Sequence, residues 1–240
     1  MQYSLINDGF ETAQGVLRYE ELEELRRAVK ELPFRHRGGA RNLLQNSESI
    51  AAVAIAEPVK VLADAALGAD AFPVRALLFD KAPAANWKVP WHQDTAIAVA
   101  ERVEAPGFIG WSVKDGVTHV HPPADILEQM VSLRIHLDDC GLDNGPLRVL
   151  PGSHRHGKLD DEEIESRRQT TEEVSCCASK GDVLVMRPLL LHASSPAKSP
   201  SHRRVIHIEY ACCPLPEGLR WFEQATQTIS ATNFDLQISR

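Results

Sequence analysis

Short β-rich runs separated by turn residues fill the chain from Phe72 onward, and this texture limits the folds that the sequence can adopt. The runs are FPVRALLFDK, MVSLRIHLDD, PLRVLPGSH, GDVLVMRP and RRVIHIEYACC. Many short strands with glycine, proline and Asn-Gly pairs between them are typical of a β-sandwich or of a barrel closed as a jelly roll. We therefore expect a mainly β fold with a jelly-roll core over about residues 72–213.

The preceding part of the chain has helical periodicity instead. In YEELEELRRAVKEL, leucine or valine recurs every three or four positions with charged residues between, as in an amphipathic surface helix. The segment SESIAAVAIAEPVKVLADAALGAD continues the pattern: Ser47 or Ser49 can cap it, Pro58 breaks or restarts it, and Gly68 ends it. We expect flanking helices over about residues 17–68 that support the sheet within one domain spanning residues 1–240.

The composition argues against two classes of partner. Lys and Arg number 26 against 33 Asp and Glu, and the net charge of −7 offers no basic surface for nucleic acid or an anionic membrane. No run of about 18 apolar residues appears, and the N-terminus MQYSLINDGF lacks the regions of a secretory signal. The five cysteines include two adjacent pairs, which do not suit a disulfide framework. We expect a cytoplasmic protein with reduced thiols.

Three residues suggest a metal site. His92 and Asp94 lie two apart in WHQDTAIAV, and His192 follows the strand pattern GDVLVMRPLLL. Two histidines and one carboxylate can occupy one face of an octahedral Fe(II) and leave three positions open, although zinc accepts the same ligands. Each residue also has a non-functional interpretation. The His-x-Asp triplet could arise by chance or form a hydrogen-bonded surface pair, and His192 could be a buried core histidine.

Arg203 distinguishes between these metals. It opens the strand RRVIHIEYA eleven residues after His192, and an arginine beside a metal can hold the far carboxylate of a 2-oxo acid in a bidentate fork. Strand alternation sends Arg203 and Arg204 to opposite faces. We choose Arg203 because Arg204 shares its face with the apolar Ile206 and Ile208, a core-facing set.

With these residues in place, the chain resembles the phytanoyl-CoA dioxygenase family of Fe(II)/2-oxoglutarate-dependent oxygenases. The resemblance runs from about Phe72 to Cys213 and is loose in the N-terminal third. It rests on four blocks in the expected order: LLFDKAPAANWKVPWHQD, LDDCGLDNGPLRVLPGSHRHG, LLLHASS and RRVIHIEYA. The family resemblance implies a double-stranded β-helix core of the cupin-like kind, with Fe(II), 2-oxoglutarate as co-substrate, and O₂.

Position by position, the resemblance implies roles for several residues. His92, Asp94 and His192 would be the iron ligands, Arg203 would bind the C5 carboxylate of 2-oxoglutarate, and Ser194 in HAS would lie near the same carboxylate. The implied reaction is hydroxylation of a small-molecule metabolite with release of succinate and CO₂. Halogenation is disfavoured, because related halogenases lack the carboxylate that Asp94 supplies.

Two further arginines are candidates for the co-substrate or the substrate. Arg134 stands where the family commonly has an aromatic residue beside 2-oxoglutarate, and Arg41 in GGARNLL lies about where a basic contact is expected. In MVSLRIHLDD, Arg134 shares one strand face with Ser132 and His136. If that face lines the cavity, a buried guanidinium needs an anion, and we expect a small substrate that carries one. If the face points outward, Arg134 would pair with an acidic residue instead.

The remaining histidines and the function class leave alternatives open. His119 and His121 in GVTHVHPP lie on a segment that could cover the site or be a plain loop, and His154 and His156 read as turn residues. The competing function is a non-catalytic or redox-neutral jelly-roll metal-binding protein that binds no 2-oxo acid. The presence of Arg203 and O₂-dependent formation of succinate distinguish the oxygenase from this alternative.

Overall fold

The computed structural model describes residues 3–32, 38–68, 70–198 and 202–224. Its helices are α1 (Leu5–Asp8), α2 (Tyr19–Glu31), α3 (Leu43–Asn46), α4 (Glu48–Ile55), α5 (Glu57–Leu67), α6 (Ala124–Glu128) and α7 (Asp161–Thr170). Its strands are β1 (Phe10–Ala13), β2 (Gly39–Ala40), β3 (Phe72–Lys81), β4 (Val89–His92), β5 (Ile97–Val99), β6 (Ile109–Lys114), β7 (Val117–His121), β8 (Met130–His136), β9 (Leu147–Val149), β10 (Val174–Cys176), β11 (Val183–Met186), β12 (His192–Ser194) and β13 (Arg203–Ala211).

The strands form one large sheet, one smaller sheet and a three-stranded sheet. The large sheet has the order β1-β11-β8-β13-β3-β2, and all its neighbours run antiparallel. The smaller sheet has the order β10-β9-β12-β4, and the third sheet has the order β5-β7-β6. The predicted mainly β architecture with flanking helices is therefore confirmed.

Alternation along β8 and β13 divides the large sheet into two chemically different faces. Leu133 on β8 and Ile208 on β13 pack into a hydrophobic core that also contains the apolar residues of α2, α4 and α5. Burying a side chain of this size is worth about 1.5–3 kcal/mol, so this layer fixes the register of both strands. The residues between them, such as Arg134 and His207, consequently face the other way, toward a cavity.

The helices begin and end where the sequence indicates. The Ser47 hydroxyl accepts a hydrogen bond from the backbone of Ile50 at the start of α4, as an N-cap does. Pro58 lies in the first turn of α5, and Gly68 ends that helix with a left-handed φ of 65°. The Tyr210 hydroxyl of β13 donates to Ala54 O of α4 over 2.8 Å and ties the sheet to the helical layer.

Two strands lie in the N-terminal third, where the sequence predicted only helices. β1 pairs with β11 and β2 pairs with β3, both at the edges of the large sheet. These strands are four and two residues long, so they are too short to show an alternating pattern. The acidic segment 159–173 contains α7, which has no buried residue. Among the described residues, no helix combines the length and apolarity needed to cross a bilayer.

Candidate metal and co-substrate site

Two neighbouring strands of the smaller sheet bring the three predicted metal ligands together. His92 ends β4 and His192 begins β12, and these two residues are register partners. Asp94 follows β4 by two residues, and its carboxylate oxygens lie 3.7 Å from Nε2 of His92 and 3.7 Å from Nε2 of His192. One candidate ligand atom from each residue lies within 4.8 Å of the others. The sequence-distant His192 is thus placed by backbone pairing between strands.

The hydrogen bonds of His92 and His192 engage Nδ1 and leave Nε2 of each ring available to a metal. Nδ1 of His92 is 2.9 Å from Pro90 O, and Nδ1 of His192 is 2.9 Å from Leu190 O. A carbonyl oxygen only accepts, so each Nδ1 carries the proton and each Nε2 presents its lone pair toward Asp94. Metal-ligating histidines are held by such outer hydrogen bonds. The donor set therefore fits a divalent metal ion with two nitrogens and one carboxylate.

The electrostatics of the triad favour the same protonation states. Burial lowers the pKa of His192 to about 4, so its imidazole is neutral at neutral pH. Burial works to raise the pKa of Asp94, but electrostatic attraction to the surrounding side chains, first His192 and also Arg134, outweighs it and holds the pKa at about 2. A metal ion needs deprotonated ligands, and the triad already provides them.

A cavity of about 980 Å³ opens beside the triad. Its inner surface comes from the polar faces of β3, β8 and β13, together with residues of β4, β9 and β12. Leu77, Phe79 and Leu147 supply apolar lining. This volume is within the range of sites that hold small molecules.

Arg203 lies on the cavity face of β13, as strand alternation predicts. Its Nη1 group donates a hydrogen bond to Gly145 O, and its side chain is buried. Arg204 lies on the opposite face, where two of its nitrogens bind the Asp138 carboxylate over 2.8 and 2.7 Å. Only Arg203 of this adjacent pair can therefore reach a molecule in the cavity.

Arg134 also points into the cavity rather than outward. Its Nη1 lies 3.1 Å from Nδ1 of His207, and its guanidinium sits 5.3 Å from the centre of the Phe79 ring. Burial and then the charge of Arg203 lower the pKa of Arg134 to about 10, and the charge of Asp94 works in the opposite direction. The guanidinium is consequently close enough to both the metal triad and Arg203 to interact with them.

Lys81, which the motif reasoning missed, is a third buried cation at this end of the cavity. Its side chain is 1% exposed, and Nζ donates to Ser194 Oγ over 2.9 Å and to Ser195 O over 2.6 Å. Burial and the charge of Arg203 lower the pKa of Lys81 to about 8. Lys81 is the register partner of Arg203, and the period-two alternation of FPVRALLFDK is the signal that could have identified it.

These three cations, which we call the cationic cluster (Lys81, Arg134 and Arg203), have no carboxylate ion pair within the described part of the chain. The Nε atoms of Arg134 and Arg203 are buried and have no hydrogen-bond partner there. A buried guanidinium without a counter-charge is costly. The cluster is therefore a preformed site for an anion beside the metal triad.

The remaining predicted residues lie farther out or elsewhere. Arg41 lines the cavity, but its Nε pairs with Asp115 over 3.0 Å, and both side chains are exposed. His121 lines the cavity from β7, whereas His119 is buried and bonds to Val117 O. His154 lies with His156 in a short 3₁₀ turn. The predicted covering segment thus contributes one histidine to the cavity wall, and it does so from a strand.

The comparisons with known proteins support these observations. The model of the family described as phytanoyl-CoA dioxygenase (PhyH) matches residues 6–205. The match begins far upstream of Phe72, so the N-terminal helices, which resemble the family only loosely by motif, are part of the family region. A comparison with curated protein sequences finds no match.

Solved structures share the fold. AviO1 from Streptomyces viridochromogenes Tue57 has a TM-score of 0.64 and 27% identity, with 88% of this chain and 95% of that chain covered. EctD from S. alaskensis, solved with 2-oxoglutarate and 5-hydroxyectoine, has a TM-score of 0.68 and 19% identity, covering 87% and 73%. The epimerase SnoN, solved with Fe3+, alpha ketoglutarate and nogalamycin RO, has a TM-score of 0.67 and 16% identity, covering 86% and 80%.

The last two similarities are too low in identity to establish more than the fold, and that fold is the predicted cupin-like jelly roll. The family match covers most of the chain and includes the ordered motifs around the metal triad and Arg203. The chain belongs to the phytanoyl-CoA dioxygenase family of iron- and 2-oxoglutarate-dependent oxygenases.

Proposed function

We propose that the protein hydroxylates a small molecule in an Fe(II)- and 2-oxoglutarate-dependent reaction that consumes O₂ and releases succinate and CO₂. The observation that carries this proposal is the adjacency of the His92, Asp94 and His192 triad to the unpaired cationic cluster. A redox-neutral metal protein, the alternative, has no use for a buried anion site next to its metal. Family membership supports the same class of chemistry.

In this proposal the triad holds the iron through Nε2 of His92, Nε2 of His192 and a carboxylate oxygen of Asp94. Iron bound there would activate O₂ and, with 2-oxoglutarate as the source of two electrons, oxidise the substrate. The protein's part is to keep both imidazoles neutral and oriented through Pro90 O and Leu190 O. Asp94 is ionised at neutral pH, so it can bind the metal ion without first losing a proton.

The cationic cluster would hold 2-oxoglutarate. Arg203 would bind its C5 carboxylate, and Ser194 would donate a second hydrogen bond to that carboxylate. The Ser194 oxygen already accepts from Lys81, which leaves the hydroxyl proton for the ligand. Lys81 thus acts as a positioning residue behind Ser194. Leu147 and Phe79 would cover the apolar carbons of the co-substrate.

Arg134 would meet the remaining negative charge near the metal. We assign that charge to the second carboxylate of 2-oxoglutarate, because Arg134 interacts with both Asp94 and Arg203. The sequence-based expectation of an anionic substrate is the alternative use of the same guanidinium. Arg41, at the mouth with Asp115, would act on the substrate rather than on the co-substrate.

We also propose that the 240-residue chain is one domain, with helical support over about residues 17–68 and a jelly roll over about 72–213. One hydrophobic core joins apolar residues of the helices and of the large sheet, which supports this organisation. A cytoplasmic location stays a prediction from the sequence. The organic molecules bound in the EctD and SnoN structures are small, and a small metabolite fits the cavity here.

An anaerobic titration tests the proposal. Adding 2-oxoglutarate to the Fe(II) protein should produce a weak visible charge-transfer band, because the triad leaves adjacent positions open for a chelating 2-oxo acid. Replacing His92 or Asp94 with alanine should abolish the band, whereas alanine in place of the exposed turn residue His156 should not. An unchanged band in the His92 or Asp94 variant would contradict the assignment of that residue as a metal ligand. Admitting O₂ should then generate succinate.

A further inference from the structure

The cavity wall contains a buried ion pair that neither the metal triad nor the cationic cluster uses. Arg75 on β3 and Glu209 on β13 are register partners, and Nη1 of Arg75 lies 3.1 Å from Oε1 of Glu209. The side chains are only 11% and 8% exposed, and both line the cavity. We call these two residues the wall pair. They lie on the same faces of their strands as Leu77 and His207, one alternation farther along.

Each member of the wall pair keeps polar atoms for a ligand. Oε1 of Glu209 contacts Arg75 and lies 3.6 Å from Nε2 of His207, and Nη1 of Arg75 is also 3.4 Å from Ala96 O. Within the described residues, Oε2 of Glu209 and Nη2 of Arg75 have no hydrogen-bond partner. The wall pair therefore presents an acceptor and a donor side by side to the cavity.

A second polar pair continues this wall. The Thr95 hydroxyl lies 3.0 Å from Nδ1 of His121, and both residues line the cavity. The Nε2 atom of His121 is the remaining ring nitrogen available to a ligand. The cavity lining thus carries the donors and acceptors of both pairs in addition to the cationic cluster.

Most charges of this outer part are paired, in contrast to those of the cationic cluster. The wall pair neutralises itself, and Arg41 is paired with Asp115 at the mouth. Lys114, which lies near Arg75 and Arg41, is exposed to solvent and needs no counter-charge from a ligand. Within the described residues, every charged side chain that lines this part of the cavity, apart from the solvent-exposed Lys114, has an opposite charge beside it.

These contacts argue against an acyl chain in the outer cavity. Apolar carbons placed against the wall pair would remove water from two charged groups without replacing its hydrogen bonds, which is unfavourable. A hydroxyl group, by contrast, both donates and accepts. Of two neighbouring hydroxyls, one can donate a hydrogen bond to Oε2 of Glu209 while the other accepts one from Nη2 of Arg75.

We propose that the substrate is a neutral, hydroxyl-rich molecule, such as a cyclic polyol or a sugar-like ring, and that the wall pair of Arg75 and Glu209 determines this specificity. The inference rests on the proposed function, because it takes the metal and co-substrate end of the cavity as occupied. It assigns the substrate to the outer part, where most charges are paired.

The test uses the full-length protein loaded with Mn²⁺ and 2-oxoglutarate, whose binding is checked first by calorimetry. Proton relaxation of added probes then reports their proximity to the paramagnetic ion without requiring turnover. The hydroxyl-rich probes are myo-inositol, sorbitol, trehalose and methyl α-D-glucopyranoside. The comparison probes are octanoate, octanoyl-CoA and tricarballylate. We expect metal-dependent relaxation for at least one hydroxyl-rich probe and a weaker effect for every comparison probe.

The Glu209→Gln variant should weaken binding of the responding probe about tenfold, the usual effect of losing a hydrogen bond to a charged group. Glu101→Gln is the matched control, because Glu101 pairs with Arg220 on the exposed surface and should bind the probe unchanged. If Glu209→Gln does not fold, the double variant Arg75→Gln/Glu209→Gln removes both charges together and leaves no unpaired one.

The outcomes separate the two proposals. Failure of Mn²⁺ and 2-oxoglutarate to bind would overturn the proposed function and the inference with it. Normal loading with no response from any hydroxyl-rich probe, or with a stronger response from an acyl or tricarboxylate probe, would overturn the inference alone. A responding probe that binds Glu209→Gln as tightly as wild type would also overturn it.

Discussion

At the scale of single residues, the site depends on which of two adjacent arginines faces the cavity. Arg203 and Arg204 are chemically identical, yet one lies over the cavity and the other binds Asp138 on the far side of the sheet. The difference comes from strand alternation, which the apolar neighbours of Arg204 enforce by packing against the helices. Whether an arginine of β13 can serve the site therefore depends on which face of the strand its position occupies.

Arg203→Ala should weaken 2-oxoglutarate binding while leaving metal binding largely intact. A charge-assisted hydrogen bond is worth about 1.5–3 kcal/mol, so the dissociation constant should rise roughly tenfold to a hundredfold. Calorimetry with 2-oxoglutarate on the Mn²⁺-loaded protein measures this change. Arg204→Ala serves as the control and should retain the affinity while losing stability, because it leaves Asp138 without this partner. If Arg204→Ala weakened 2-oxoglutarate binding and Arg203→Ala did not, the assignment of Arg203 as the binding residue would be wrong.

At the scale of elements, long strands and helices are predictable from the sequence, and the pairs between strands are not. The alternation of MVSLRIHLDD indicates two faces of β8, and Ser47 and Gly68 mark helix ends that the structure confirms. The wall pair was not predicted because it depends on the register between β3 and β13, which neither strand encodes alone. Alternation along β3 indicates the face of Lys81, but its partners Ser194 and Ser195 come from a distant part of the sequence. The edge strands β1 and β2 are held by backbone bonds, so their side chains carry little signal.

Arg134→Leu tests the polar face of β8. We expect O₂-dependent succinate formation to fall at least tenfold with the fold intact, since leucine removes the cation but keeps an apolar body beside Phe79. Arg148→Leu, on β9, is the control, because its guanidinium covers Trp91 and binds Glu173 outside the cavity. A rise in the KM for 2-oxoglutarate would assign Arg134 to the co-substrate, and a change confined to the substrate's KM would assign it to an anionic substrate. Wild-type kinetics on both would defeat each assignment.

At the scale of the whole molecule, Glu223 joins the C-terminal part of the described chain to two distant elements. Its carboxylate accepts hydrogen bonds from the backbone of Leu44 at α3 and of Ala76 on β3. Its side chain is fully buried. Burial raises the pKa of Glu223 to about 8 from 4.5, against the effect of these two hydrogen bonds. The molecule therefore keeps a buried carboxyl group protonated near neutral pH.

This raised pKa predicts that stability falls as the pH rises. Below about pH 4.5 the group is protonated in both states, and between 4.5 and 8 only the unfolded chain releases the proton. The Glu223 contribution should thus decrease by up to about 1.4 kcal/mol per pH unit in this window. Urea unfolding at pH 5.5 and pH 8 should show this slope, reduced in Glu223→Gln and unchanged in the surface control Glu162→Gln. Parallel slopes in wild type and Glu223→Gln would refute the assignment.

The backbone carbonyls that orient His92 and His192 have a practical consequence for handling the protein. Pro90 O and Leu190 O orient both rings through protein atoms alone, so these hydrogen bonds do not select one divalent metal over another. Ligand sets of this kind bind Ni²⁺ more tightly than Fe²⁺. We therefore expect protein purified on a nickel resin to carry Ni²⁺ at the triad in place of Fe²⁺. Its metal content should be measured by elemental analysis before a preparation is judged inactive.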